Sequence, residues 1–443
     1  MKIQLSDHFT YGRLLRFILP SIVMMIFTSL YAVVDGIFVS NFAGKTAFAA
    51  INLIMPYLIA FSTLGFMVGT GGTALISMNL GMGDKAKANQ LFSLLTYVCI
   101  FGGVVLTVLS MVFMRPAARW LGATGQMLED AVVYGYIVQL ALTAYILQYA
   151  FQSFCVAAEK PNLSLIMTVA SGLCNIVLDA LFVAVFRWGL IGAAVATATA
   201  QILGAAIVLI YFSRENSSLL RLGRCPYDGN ALLRTCINGS SELMSNLSMS
   251  IVSMLYNVQL LSYAGEDGVA AYGVIMYVNF AFLAIFIGTS LGTAPIIGFN
   301  YGADNQAELR NIFRKSMGLL TLFSLAMAGS AMVLAEPLSR IFVGYDAALL
   351  EMTVRGFTIF ALSFLFCGFN IFGSSLFTAL NNGLISALIS FLRVLVCQVA
   401  AVLLLPLVLD LDGIWWSVVV AEAAAMALTG YFAVKYRSRY HYF

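Results

Sequence analysis

Apolar stretches of about 20–30 residues follow one another along the whole chain, and short polar turns separate them, a length that carries an α-helix across a hydrocarbon core of roughly 30 Å. The pattern predicts twelve membrane-spanning helices, at about 13–40, 47–80, 90–114, 128–158, 161–187, 189–213, 231–262, 268–300, 311–334, 349–379, 382–406 and 411–435. It does not resemble the short alternating strands of a membrane barrel. Several spans exceed 25 residues, so tilt or kinking is expected, with Pro20, Pro56 and Pro295 as the predicted kink points. Bending at Pro20 would alter the surroundings of Asp35, fifteen residues further along the same helix. The first stretch runs on to about Ser40 without a small-residue cleavage site, so it is expected to remain as a helix.

Composition agrees: 61% of residues are hydrophobic and 10% charged, the mean hydropathy is +0.94, and soluble proteins carry charge on about 25% of residues. An integral membrane protein follows. With the N-terminus inside, 16 of the 23 basic residues fall on cytoplasmic segments, six outside, and Arg393 lies within a span. This bias predicts both termini in the cytoplasm. The net charge of +3 is then a topology signal and no nucleic-acid partner is expected. The seven cysteines have no CxxC spacing and lie mostly within spans, so neither a disulfide nor a Cys/His metal site is predicted. His8 and His441 sit at the chain ends, away from intramembrane proton work.

A constant shift of 221 residues superimposes the second half of the sequence on the first without a gap. FAGKTAFAAINLIMP (42–56) falls on YAGEDGVAAYGVIMY (263–277), GGTALISMNLG (71–81) on GTAPIIGFNYG (292–302), and RPAAR (115–119) on EPLSR (336–340). Each half holds six helices, an even number, so the halves enter the membrane from the same side as parallel repeats about an axis along its normal. The predicted organisation is an N-lobe over residues 1–212, a cytoplasmic linker over 213–230 and a C-lobe over 231–443, with a substrate site near the midplane between two rocking bundles.

A duplicated scaffold carries its own control, because a polar residue present in one half only is not demanded by the shared fold. Asp35 corresponds to Tyr256, Asp179 to Ala400, and Asn175, one turn before Asp179, to Val396. A carboxylate near the bilayer centre costs on the order of 3 kcal/mol on insertion scales and faces a bundle interior. Two together raise each other's affinity for protons or, with Asn and Thr oxygens, hold a hard cation such as sodium. Glu242, opposite Ser21, is placed to reach a central cavity or the interface, and Arg393 and Glu422, opposite Gly172 and Gln201, read as a mutual or snorkelling pair.

Twelve helices in two lobes, the acid in LYAVVDGIFVSNFAG, the segments GTGGTALISMNLGMGD and GTAPIIGFNYGA, and NIVLD in helix five together resemble the multidrug and toxic compound extrusion (MATE) family, most closely its bacterial DinF-like and MepA-like branches. The resemblance implies a bacterial plasma-membrane antiporter, free of cofactors, that expels cationic or amphipathic compounds in exchange for H⁺ or Na⁺. It assigns the ion-coupling role to Asp35, Asn175, Asp179 and Thr197, with sodium at these four if sodium is the ion, and the N-lobe substrate cavity to Tyr31, Tyr134 and Gln152, to which the position of Glu242 early in helix seven adds a fourth candidate. A monomer is expected. The family's NorM-like branch couples through acids in helices seven and ten, and helix ten here offers Asn370 but, apart from Glu351 at its very start, no acid, which favours the N-lobe.

The alternative transport reading is a flippase for a lipid-linked saccharide or another amphipathic lipid. Such relatives tend toward fourteen helices and basic cavities, whereas this chain has twelve predicted spans and one deep arginine. An intramembrane enzyme would need a nucleophile with its base or a metal cluster; no span contains a histidine, and the GxSxG match GTSLG (288–292) lies inside a predicted helix, not on the strand-to-helix turn of a nucleophile elbow.

Overall fold

The computed structural model describes residues 3–43 and 45–443. Lys2, counted among the basic residues above, and Gly44, which the repeat aligns with Gly265, lie outside the described residues. Among those described there is no strand. Nine helices are long and apolar enough to cross a membrane, and two bent pairs bring the number to eleven. One of the nine, Gly229–Gly302, has 74 residues and at 1.5 Å per residue would measure about 110 Å, several times the hydrocarbon core. It is two helices that meet at Gly265, whose φ of 62° and ψ of −151° suit a residue without a Cβ. The described residues therefore make twelve spans.

The first six spans are α1 Tyr11–Phe38, α2 Lys45–Gly81, α3 Lys85–Trp120, α4 Gly125–Leu140 with Leu142–Ala157, α5 Pro161–Asp179 continued by a π-helical turn Ala180–Val185, and α6 Gly189–Ser213. The second six are α7 229–264, α8 266–302, α9 Gln306–Val343, α10 Ala347–Ala361 with Phe364–Ala379, α11 Gly383–Phe391 continued by a π segment Leu392–Cys397 and by Gln398–Leu404, and α12 411–440 after a break at Asp410. Predicted and observed spans agree to within several residues. The largest differences are at α3 and α9, which run past their apolar cores on charged turns such as Lys85–Lys87 and Arg115–Arg119. Hydropathy sees only the apolar part of such a helix.

The 221-residue repeat reappears as a repeat of local backbone chemistry. The turn before α3 uses Gly83 at φ 83°, and the turn before α9 uses Asp304 at φ 52°. The next residue caps each helix: Asp84 accepts from the Lys87 N–H and Asn305 from the Glu308 N–H. α4 bends by 58° around residue 141 and α10 by 49° around 362–363, the equivalent place. Neither bend contains a proline. Pro20, Pro56 and Pro295, the predicted kink points, lie inside helices that continue through them.

The lobes meet along α1 and α2 of one half and α7 and α8 of the other, with glycines at the closest points. A Cβ on Gly81 would sit 1.9 Å from the Phe299 carbonyl oxygen, and one on Gly302 would sit 2.0 Å from the Met78 carbonyl oxygen. Residues 78 and 299, like 81 and 302, are equivalent under the repeat, so one contact is the image of the other across the axis. Both lie toward the face that carries the two chain ends. On that face the Phe9 N–H donates to Glu308 and the Leu5 N–H to Glu159, which ties the N-terminal segment to both halves. Segment 214–228 is held against α3 in a similar way: Gly223 N–H donates to Ser93 and Lys87 pairs with Asp228 at 2.8 Å. The Lys87 hydrogen bond holds the Asp228 carboxyl below its ordinary range.

A methyl group at Gly81 or Gly302 forces two backbones apart, and overpacking of this kind costs about 1–3 kcal/mol. Gly81→Ala and Gly302→Ala are each expected to open this face. In a cysteine-depleted background, a cysteine at position 78 should react faster with an impermeant thiol reagent in Gly302→Ala than in the parent; equal rates would contradict the clamp.

A buried acid pair and a separate cavity

Small side chains let α1 reach α5. At Gly172 on α5 a Cβ would lie 2.5 Å from the Phe27 ring and 3.2 Å from the Tyr31 ring of α1. Ser171 Oγ donates to the Ala200 carbonyl at 2.8 Å and sets α6 beside α5. These contacts bring Asp35 on α1, Asn175 and Asp179 on α5, and Thr197 on α6 into one cluster.

Within the cluster, Asp35 lies within hydrogen-bonding reach of both Asp179 and Asn175. Asn175 Nδ2 approaches Thr197 Oγ1 at 3.5 Å, the outer limit of a hydrogen bond, and Thr197 is also within reach of the Tyr134 hydroxyl. Asp179 is fully buried and Asn175 is 3% exposed. Ionised carboxylates only accept. Accordingly Asp35 Oδ1, both Asp179 oxygens and Asn175 Oδ1 are buried with no donor among the described residues. Two acids thus face each other around acceptor oxygens that no described residue satisfies. Directly after Asp179 the helix widens into the π-helical turn, a distortion frequent at functional sites.

The structure divides the four predicted cavity residues. Gln152 and Glu242 line a cavity of about 700 Å³ between the lobes, together with Met25, Phe66, Thr70 and many C-lobe side chains. Tyr31 and Tyr134 are not on its wall. Both lie with Tyr145 close enough to Asp35 to feel its charge, and the Tyr145 hydroxyl is 2.5 Å from that of Tyr149. Sequence reasoning did not single out Tyr145 or Tyr149. Their spacing of four residues, which puts both hydroxyls on one face of α4, was the available signal. Asp35, Asp179, Asn175 and Thr197 are likewise absent from the cavity wall. The acid cluster and the cavity are separate places.

In the C-lobe, Arg393 and Glu422 pair with each other. Arg393 Nε lies 3.0 Å from both carboxylate oxygens and Nη2 lies 3.0 Å from Oε1. Asn370 Nδ2 completes the group at 2.7 Å from Glu422 Oε2. All seven cysteines are free, and the described residues contain no group of three or more His, Cys, Asp or Glu side chains able to hold a metal.

Two stretches of the chain, residues 20–181 and 243–403, match the MatE family model. The chain belongs to the MatE family. Members of this family are transporters, not enzymes. The MatE repeat is thus matched once in each half, with starts and ends spaced close to the 221-residue shift. The multidrug export protein MepA of Staphylococcus saprophyticus is 24% identical over 417 residues, covering 92% of this chain and 90% of its own length. MepA of Staphylococcus aureus is 23% identical over 415 residues, with 93% and 91% covered. Among solved structures, the outward-facing form of a multidrug resistance MATE transporter of the MOP superfamily matches with a TM-score of 0.93 at 21% identity, over 99% of this chain and 98% of that one. A MATE protein crystallised with MaL6 also gives 0.93 at 21% identity, over 98% and 97%. These likenesses bear on the fold: the MatE architecture of twelve spans in two lobes.

Like charges held in contact in a low-dielectric interior repel, and an amide in place of one carboxyl supplies a donor to the other. Asp35→Asn is therefore expected to melt at or above the parent temperature at neutral pH. A fall of more than about 5 °C would mean that the Asp35 carboxylate holds the fold together.

Proposed function

We propose that this chain is a multidrug exporter of the bacterial plasma membrane, working as a monomer with both termini in the cytoplasm, that expels cationic and amphipathic compounds in exchange for H⁺ or Na⁺. The observation that carries this reading is the pair Asp35 and Asp179, facing each other with Asp35 Oδ1 and both Asp179 oxygens buried and without a donor among the described residues, and absent from the equivalent positions of the other half. Kinship with MepA proteins supports the cargo class. The basic residues concentrated on the face that carries the termini support the orientation.

A proton entering the cluster makes one carboxyl a donor to the other, in a short O–H···O⁻ bond that removes both the repulsion and the missing donor. A sodium ion would instead draw on the Asp35 and Asp179 oxygens, Asn175 Oδ1 and Thr197 Oγ1, all hard ligands. Either ion changes the charge between α1 and α5. The change reaches the lobe interface because α1 also packs on α8, where a Cβ on Gly288 would lie 2.5 Å from Ile22 Cα and one on Gly292 would lie 2.9 Å from Ile18. Cargo in the 700 Å³ cavity and ion in the N-lobe therefore act on the same seam from different sides. Exchange follows if only one of them is accommodated in each arrangement of the lobes.

Everted vesicles supplied with a fluorescent cationic dye in the medium test this, with pH and sodium gradients imposed one at a time. Wild type should accumulate dye under one gradient, and Asp35→Asn and Asp179→Asn should each lower that accumulation by about 5- to 150-fold, the usual span of a coupling energy. Accumulation by Asp35→Asn equal to wild type removes the coupling role. Dye movement that survives collapse of both gradients removes exchange altogether.

A further inference from the structure

The C-lobe has its own asymmetric charge cluster, and this one does face the cavity. Arg393 and Glu422 lie on its wall, and Arg393 sits on the π segment Leu392–Cys397 of α11. The repeat shows that the scaffold does not require them: the N-lobe has Gly172, Gln201 and Tyr149 where the C-lobe has Arg393, Glu422 and Asn370. At Gly172 the space is filled by the Phe27 and Tyr31 rings, so an apolar solution to the same packing problem exists within this chain.

The hydrogen bonds decide what the cluster offers. The Glu422 carboxylate is spent, with Oε1 taken by Arg393 and Oε2 by Arg393 and Asn370. The guanidinium is not, because it carries five N–H donors and the pair with Glu422 uses only its Nε–Nη2 edge. Nη1 makes no hydrogen bond to any described residue, so on a residue that lines the cavity its donors are left for a partner there. The same cavity holds Glu242, whose carboxylate has no hydrogen-bond or ion-pair partner among the described residues; the one bond there, from Asn246, goes to its backbone carbonyl.

We propose that Arg393 is a carboxylate-docking residue, positioned by Glu422 and Asn370, and that the cavity takes zwitterionic amphiphiles with the anionic end on Arg393 and the cationic end toward Glu242. A planar guanidinium with a free edge suits a carboxylate better than a lysine would, since it presents paired donors in a fixed geometry. The apolar lining and a volume of about 700 Å³ suit the ring system of a drug-sized molecule. Glu422 and Asn370 do not touch the cargo. They hold the guanidinium at one edge so that the other stays in the cavity. The inference rests on the export reading for its cargo, but it concerns equilibrium binding and is independent of which ion drives transport.

Two probes that differ only at the carboxyl group separate the claims: rhodamine B, a zwitterion with a free carboxylate, and its ethyl ester, a cation on the same rings. Binding of each to purified full-length protein in nanodiscs is measured by fluorescence polarisation without a gradient. Wild type should bind rhodamine B at least as tightly as the ester. Arg393→Gln alone strands the Glu422 carboxylate, so the decisive protein is Arg393→Gln/Glu422→Gln, which removes both charges and keeps amides in their place. It should weaken rhodamine B about 10- to 100-fold, the worth of a hydrogen bond to a charged group, and change the ester by less than about threefold. Arg393→Lys, which keeps the charge and loses the fork, should shift the preference in the same direction. A wild type that binds the ester and rejects rhodamine B, or variants that weaken both probes equally, overturns this inference and leaves the export reading standing. A wild type that binds neither overturns both.

Discussion

A carboxylate inside a bilayer must find its partners within the protein, because the water that would otherwise surround it is gone. That constraint organises the distinctive part of this molecule. Asp179 is fully buried, yet its oxygens and Asp35 Oδ1 have no donor among the described residues. A protein gains nothing in stability from such an arrangement, and the second half of the chain places Tyr256 and Ala400 at the same positions without harm to the fold. The unsatisfied oxygens are the observation on which the proposed ion-coupling role rests. The contacts that assemble it, Gly172 against α1 and Ser171 against α6, keep the acids together when they would otherwise separate.

The two lobes solve one backbone problem with two electrostatic designs. In the N-lobe two carboxyl groups meet in the interior, off the cavity wall. In the C-lobe unlike charges meet on the cavity wall and are neutralised by each other and by Asn370. A buried pair of the second kind is weak evidence of stabilisation, since matched apolar side chains do as well or better. The two designs occupy different places: the acid pair lies off the cavity wall, and the Arg393–Glu422 pair lies on it.

Much of this was legible before any coordinates. Hydropathy located twelve spans, and the 221-residue shift exposed the duplication because equivalent turns reuse equivalent chemistry: Gly83 and Asp304, Asp84 and Asn305. The same shift picked out Asp35, Asn175 and Asp179, which lie together. It could not say which polar side chains share a wall, since that depends on helix rotation, and a one-dimensional pattern nearly apolar on every face carries little rotational information. Tyr31 and Tyr134 are with the acids and Gln152 and Glu242 on the cavity for that reason. The bends of α4 and α10 were equally hidden. No proline marks them, whereas Pro20, Pro56 and Pro295 occur inside unbroken helices.

The reciprocal glycine contacts carry a consequence for how the molecule moves. Gly81 against the Phe299 carbonyl and Gly302 against the Met78 carbonyl are mirror obligations of one crossing, so neither can be released while the other is kept without skewing the lobes about their axis. On this face, then, the two halves part at both contacts or at neither.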